Sequence, residues 1–139
     1  MINLKKVILV LIVLLLTGCF DNGAYLTNIC VKEDKANSLT STITYTIGFE
    51  QDIIDKVDIT LDYQDSLSNT ISAIKLSLET QHNFWQDKVD YNILIDNENH
   101  YKVEYNLDLN EKEILNHFKI EDKRSQLVKK LEKEGFICE

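Results

Sequence analysis

Two runs of strict two-residue alternation constrain this chain more than any other feature. In residues 39–49 the odd positions are Leu39, Ser41, Ile43, Tyr45, Ile47 and Phe49, and the even positions from Thr40 to Thr46 are all threonine. In residues 53–63 the odd set is Ile53, Asp55, Val57, Ile59, Leu61 and Tyr63, set against Ile54, Lys56, Asp58, Thr60 and Asp62. A period of two sends alternate side chains to opposite faces of a strand. Threonine suits extended backbone because its branched Cβ is stiff, and its hydroxyl keeps the outer face polar. Gly48 and Glu50-Gln51-Asp52 supply the reversal. The runs therefore predict a hairpin with one buried face.

The remaining segments fit around that hairpin. Residues 25–31 read as a weaker strand, with Tyr25, Thr27, Ile29 and Val31 on one side and Leu26 and Cys30 on the other. Asn37-Ser38 marks the turn that follows. Over residues 65–85 the period becomes helical, with Ile71, Ile74 and Leu78 joined by Leu67. Asp65, Ser66 or Ser68 is suited to cap its start, and Phe84-Trp85 to tuck under its end. A second alternating pair follows. Val89, Tyr91, Ile93 and Ile95 lead into the turn Asn97-Glu98-Asn99-His100, and Tyr101, Val103, Tyr105, Leu107 and Leu109 lead out of it. Asn110 with Glu113 has capping-box spacing ahead of Ile114, Leu115 and Phe118. A last helix is expected from near Glu121, with Leu127, Val128 and Leu131 inward and Gly135 as its stop. Hairpins joined to helices predict an α+β fold: an antiparallel sheet of about five strands with helices packed on one face.

The first nineteen residues indicate location. Lys5 and Lys6 precede ten apolar residues, 7–16, which break at Thr17-Gly18-Cys19. That is the plan of an export signal. Ten residues make a helix of about 15 Å, roughly half the hydrocarbon core of a bilayer, so the run is too short for a permanent span. Leu16-Thr17-Gly18-Cys19 resembles a bacterial lipobox, whose cysteine thiol receives a diacylglycerol after the signal is cut away. The expected organisation is a signal over residues 1–18, a lipid-anchored tether over 19–23 with Cys19 lipidated, and a single domain over 24–139. Without the signal, 13 basic residues face 23 acidic ones, a formal charge of −10. Such a surface is repelled by phosphate backbones, so no nucleic-acid partner is expected, and membrane attachment falls to the lipid.

Cys30 and Cys138 remain once Cys19 is assigned. An exported chain with an even remainder points to a disulfide, with two buried free thiols or a redox pair as rival readings. The pair closes a loop of roughly a hundred residues, for which chain entropy assigns about 4–5 kcal/mol.

The order strand, strand, strand, helix, strand, strand, helix, helix resembles the YehR-like family of small bacterial lipoproteins. The matching features are the lipobox at residues 16–19, two alternating hairpins around one helix, the Asp108-Leu109 step into a short helix, and a terminal helix closing on Glu134-Gly135-Phe136. The resemblance covers nearly all of the mature chain. It implies a fold and a place at the extracytoplasmic face of the cell membrane, and it implies no reaction.

Catalytic patterns are missing from the sequence. His82, His100 and His117 are 18 and 17 residues apart, unlike the spacing of a zinc site. Asp96-Asn97-Glu98-Asn99 is oxygen-rich but lacks the glycine and the downstream glutamate of a calcium loop. The paired carboxylates Asp58 and Asp62, and Asp90 and Asp96, fall on the solvent side of their strands. No catalytic residue, metal or cofactor is expected. Tyr45, Tyr63, Trp85, Tyr91 and Tyr105 occupy core positions or line a pocket between sheet and helix. The reading is a non-catalytic lipoprotein that binds a protein, peptide or envelope component; the alternative is a small-molecule carrier or enzyme using that aromatic pocket.

Overall fold

The alternating runs become the centre of a six-stranded sheet. The structure is a computed structural model that describes residues 26–139; the expected signal, lipobox with Cys19 and tether, and Tyr25, lie outside the described residues. In chain order the elements are β1 (Leu26–Ala36), β2 (Leu39–Glu50), β3 (Ile53–Gln64), α1 (Ser68–Trp85), a 3₁₀ turn (Gln86–Lys88), β4 (Asp90–Asp96), β5 (His100–Leu107), α2 (Lys112–His117), α3 (Arg124–Lys133) and β6 (Ile137–Cys138). The strands lie in the order β4-β5-β3-β2-β1-β6, and every pairing is antiparallel. The fold is α+β, with one strand more than the alternation predicts. Two residues of β6 carry no readable period.

The pairing explains the two faces. Ile43, Tyr45 and Ile47 lie opposite Leu61, Ile59 and Val57, and this side receives the helices. Thr42, Thr44 and Thr46 lie opposite Asp62, Thr60 and Asp58 on the other face. A bulge at Gly48 and Phe49 shifts the register, so Phe49 faces Ile54. Ile54 therefore turns inward at 7% exposure while Ile53, inward by simple alternation, stands 67% exposed. One extra residue on one strand reverses the parity beyond it. Asp55, skipped between the pairs Gly48↔Lys56 and Phe49↔Ile54, is the extra residue, and the reversal itself runs through Gln51 in the left-handed region at φ 59° and Asp52.

Helix starts depart from the sequence reading. In α1 the N-cap is Leu67, with no side-chain cap; Asp65 accepts the Leu67 N–H one step earlier, at 2.8 Å. The capping box of Asn110 and Glu113 does not form, because Asp108 accepts the Asn110 N–H at 2.8 Å and α2 opens at Lys112. The last helix begins at Arg124 and not near Glu121. Its first turn is satisfied from 73 residues away: Asp52 accepts the Ser125 N–H at 2.9 Å and the Ser125 hydroxyl at 2.7 Å. A cap donated by a distant turn leaves no local pattern to read.

The C-terminus shows the opposite case, where local chemistry decides. Gly135 is left-handed at φ 94°. The Phe136 N–H donates to Leu131 and the Gly135 N–H to Glu132, both within hydrogen-bond range, which is the Schellman closure. This reversal packs Phe136 edge-on against Tyr45 and lays β6 along β1. Ile29 and Glu139 exchange main-chain hydrogen bonds of 2.9 Å in both directions, so Cys30 and Cys138 form the intervening non-hydrogen-bonded pair. Antiparallel Cα atoms approach most closely at that position. Their separation is 4.0 Å and the two cysteines are joined as a disulfide.

Candidate functional site

The candidate site is built where α1 ends above the free edge of the sheet. α1 buries Ile71, Leu78, His82 and Trp85. Its middle is fixed by Lys75, which pairs with Asp96, donates to the Asn97 carbonyl at 2.9 Å and lies over the Tyr101 ring. Together these contacts seat α1 across β4 and β5.

His82 occupies the centre of this seat, buried among rings. Its Nε2 shares a hydrogen bond of 2.8 Å with the Tyr105 hydroxyl. Its imidazole stacks on Tyr91 with centroids 3.8 Å apart, and Trp85 meets Tyr105 edge-on at 5.8 Å. Phe118 and His117 from the end of α2 pack on Trp85. Burial pushes the His82 pKa down, against an opposing pull from Glu79 one turn earlier. Burial also pushes the Tyr105 hydroxyl up, so it stays protonated across the physiological range. A neutral imidazole and a neutral phenol joined by one hydrogen bond satisfy each other in a dry site, whereas an unpaired polar group there costs about 1–3 kcal/mol.

The cluster backs β4, which among the described residues has a neighbouring strand, β5, on one side only. Tyr91 and Ile93 lie on the helix side, opposite buried Tyr105 and Val103, yet remain 40% and 50% exposed. Main-chain parity follows from the ladder. Asp65 donates to the Asn99 carbonyl at 3.0 Å, and Asn97 to the His100 carbonyl at 3.0 Å. Carried through the pairs Tyr63↔Tyr101, Asp90↔Asn106 and Asn92↔Glu104, this directs the N–H and C=O groups of Asp90 and Asn92 toward β5. Those of Tyr91 and Ile93 face outward. A bulge between Ile93 and Ile95 ends the regular stretch, leaving Leu94 exposed.

The sequence candidates separate into different places. Tyr91, Tyr105 and Trp85 come together, and Tyr63, paired with Tyr101, lies within electrostatic range of the Tyr105 hydroxyl, whereas Tyr45 packs with Phe136 under β1. Burial, with a smaller contribution from Glu134, pushes the Tyr45 hydroxyl up to about 12. The five do not form a common pocket lining. Clefts of about 360 Å³ and 550 Å³ lie elsewhere, the first lined by Lys56, Asp58, Asp87 and their neighbours, the second by Ile29, Val31 and Ile137. Asp58 and Asp62 are bound on the outer face: Asp58 to Lys56 and Asn106, and Asp62 to His100 and Lys102. Among the described residues no group of three or more His, Cys, Asp or Glu is placed to hold a metal ion. Spacing sets His82 aside as a zinc ligand and does not show its place at the centre of the aromatic cluster. The available signal was its place eleven residues after Ile71 and four after Leu78, on the apolar stripe of buried positions 71, 78, 82 and 85.

A protein from Streptococcus pneumoniae TIGR4, solved by NMR, is similar, with a TM-score of 0.53 over 85% of this chain and 87% of that one at 13% identity. Likeness at that identity speaks to the α+β fold. No family model and no curated protein matches the chain.

Proposed function

We propose that this chain is a lipid-anchored bacterial lipoprotein whose domain stands on the extracytoplasmic face of the cell membrane. There it binds a protein, peptide or envelope component without catalysing a reaction. The observation that carries the reading is Leu16-Thr17-Gly18-Cys19 at the end of a basic-then-apolar leader, seven residues before β1. Seven extended residues reach at most about 24 Å, so the domain works close to the bilayer surface. A diacylglycerol supplies two acyl chains, enough for stable anchoring where one chain is marginal. The open, aromatic-backed edge at β4 supports a binding role. Cells expressing the chain are treated with globomycin and the protein is weighed intact. The expected result is a lipidated, signal-free product in untreated cells and a precursor that retains residues 1–18 under the drug. An unlipidated mass that the drug leaves unchanged refutes the anchor.

A further inference from the structure

We propose that the free edge of β4 receives an extended, basic segment of a partner protein, added to the sheet as a seventh strand. The inference rests on the binding-domain reading above and names the class of partner. Tyr91 and Ile93 each present an outward N–H and C=O together with a half-exposed apolar side chain on the helix side. That combination fits a strand laid alongside, whose main chain supplies affinity and whose alternate side chains supply specificity. The bulge after Ile93 limits the ladder to about four residues, so a short segment is expected.

Charge selects the segment. Residues 86–98 carry Asp87, Asp90, Asp96 and Glu98 against Lys88, and Glu79 of α1 lies close enough to act electrostatically on His82 and Tyr101. The cations of this rim are engaged, Lys75 by Asp96 and Lys88 by Glu113. A segment alternating apolar and basic residues places its apolar side chains beside Tyr91 and Ile93 and its cations beside Asp90. A second copy of this chain, pairing through the same edge, sets two acidic rims face to face, and like charges opposite one another destabilise a ladder.

The test uses the full-length chain in non-ionic detergent and a seven-residue peptide alternating lysine and valine, with a glutamate-for-lysine peptide as control. Saturable binding of the lysine peptide is expected, weakening as salt is raised, with slowed exchange of the Tyr91 and Ile93 amides. Ile93→Lys is expected to weaken binding tenfold or more, and Asp90→Lys severalfold. Four results overturn the proposal: no saturable binding, equal binding of the glutamate peptide, protection confined to another surface, or a dimer that already protects these amides without peptide. Protection at another surface leaves a binding domain standing, and the globomycin result is independent of every outcome here.

Discussion

The two edges of the sheet are managed by opposite means. At the β6 edge a two-residue strand is fastened to β1 by a disulfide, and the length of β1 beyond it ends in Glu33 and Lys35, paired with each other at 2.9 Å. Charge and a very short edge strand both discourage further pairing. At the β4 edge no covalent bond exists among the described residues. The strand is positioned from beneath by His82, Tyr105 and Trp85. The first edge is closed; the second is rigidly supported yet leaves its main chain open. Protection of a sheet edge and support of a sheet edge are thus separable properties.

The largest effect is expected at the closed edge. Replacing Cys30 and Cys138 by serine, or reducing them, opens a loop with a sequence separation of 108 residues. The expected loss is up to about 4–5 kcal/mol, with strain and denatured-state structure lowering it, and thermal unfolding with and without reductant measures it. Unchanged melting breaks the contrast. Tyr105→Phe should cost less, about 1–3 kcal/mol, because it removes the hydroxyl partner of a buried imidazole while keeping the ring. A denaturant midpoint shift with constant slope checks it.

A smaller, pH-dependent effect sharpens the comparison. The folded pKa of His82 lies below its ordinary value of 6.5, so the unfolded chain binds more protons in the window between the two values. Its contribution is complete above about pH 6.5 and declines as pH falls through that window. Asp52, held down by Ser125, and Asp65, held down by Ser38 and the Leu67 N–H, start from 3.8 and lose their contributions only at lower pH. Denaturant titrations between pH 7 and pH 5 should show a falling midpoint that His82→Gln flattens. Smallest of all, Ile93→Lys should leave stability within about 0.5 kcal/mol, since the side chain is half exposed, while removing the proposed binding.

The sheet was legible wherever burial enforces a period. Thr40 to Thr46, and the odd residues opposite them, announce both faces without help from the rest of the chain. The bulge at Asp55, opposite Gly48 and Phe49, was not legible, because an extra residue leaves the composition alternating while reversing which of Ile53 and Ile54 enters the core. The terminal stop at Gly135 was readable because its cause is local backbone freedom. The start of α3 was misplaced because its cap arrives from Asp52 in another turn. For the site, the aromatic positions were visible but their grouping was not. Tyr91, Tyr105 and Trp85 converge through β-ladder register and helix placement, neither of which leaves a mark on spacing.

The bond between Cys30 and Cys138 turns almost all of the described domain into a single covalent ring. A protease that nicks any loop between those residues produces pieces that stay attached to one another. On the lipid anchor proposed above, release of the domain would require a cut ahead of Cys30, and a nick inside the ring would leave the pieces joined.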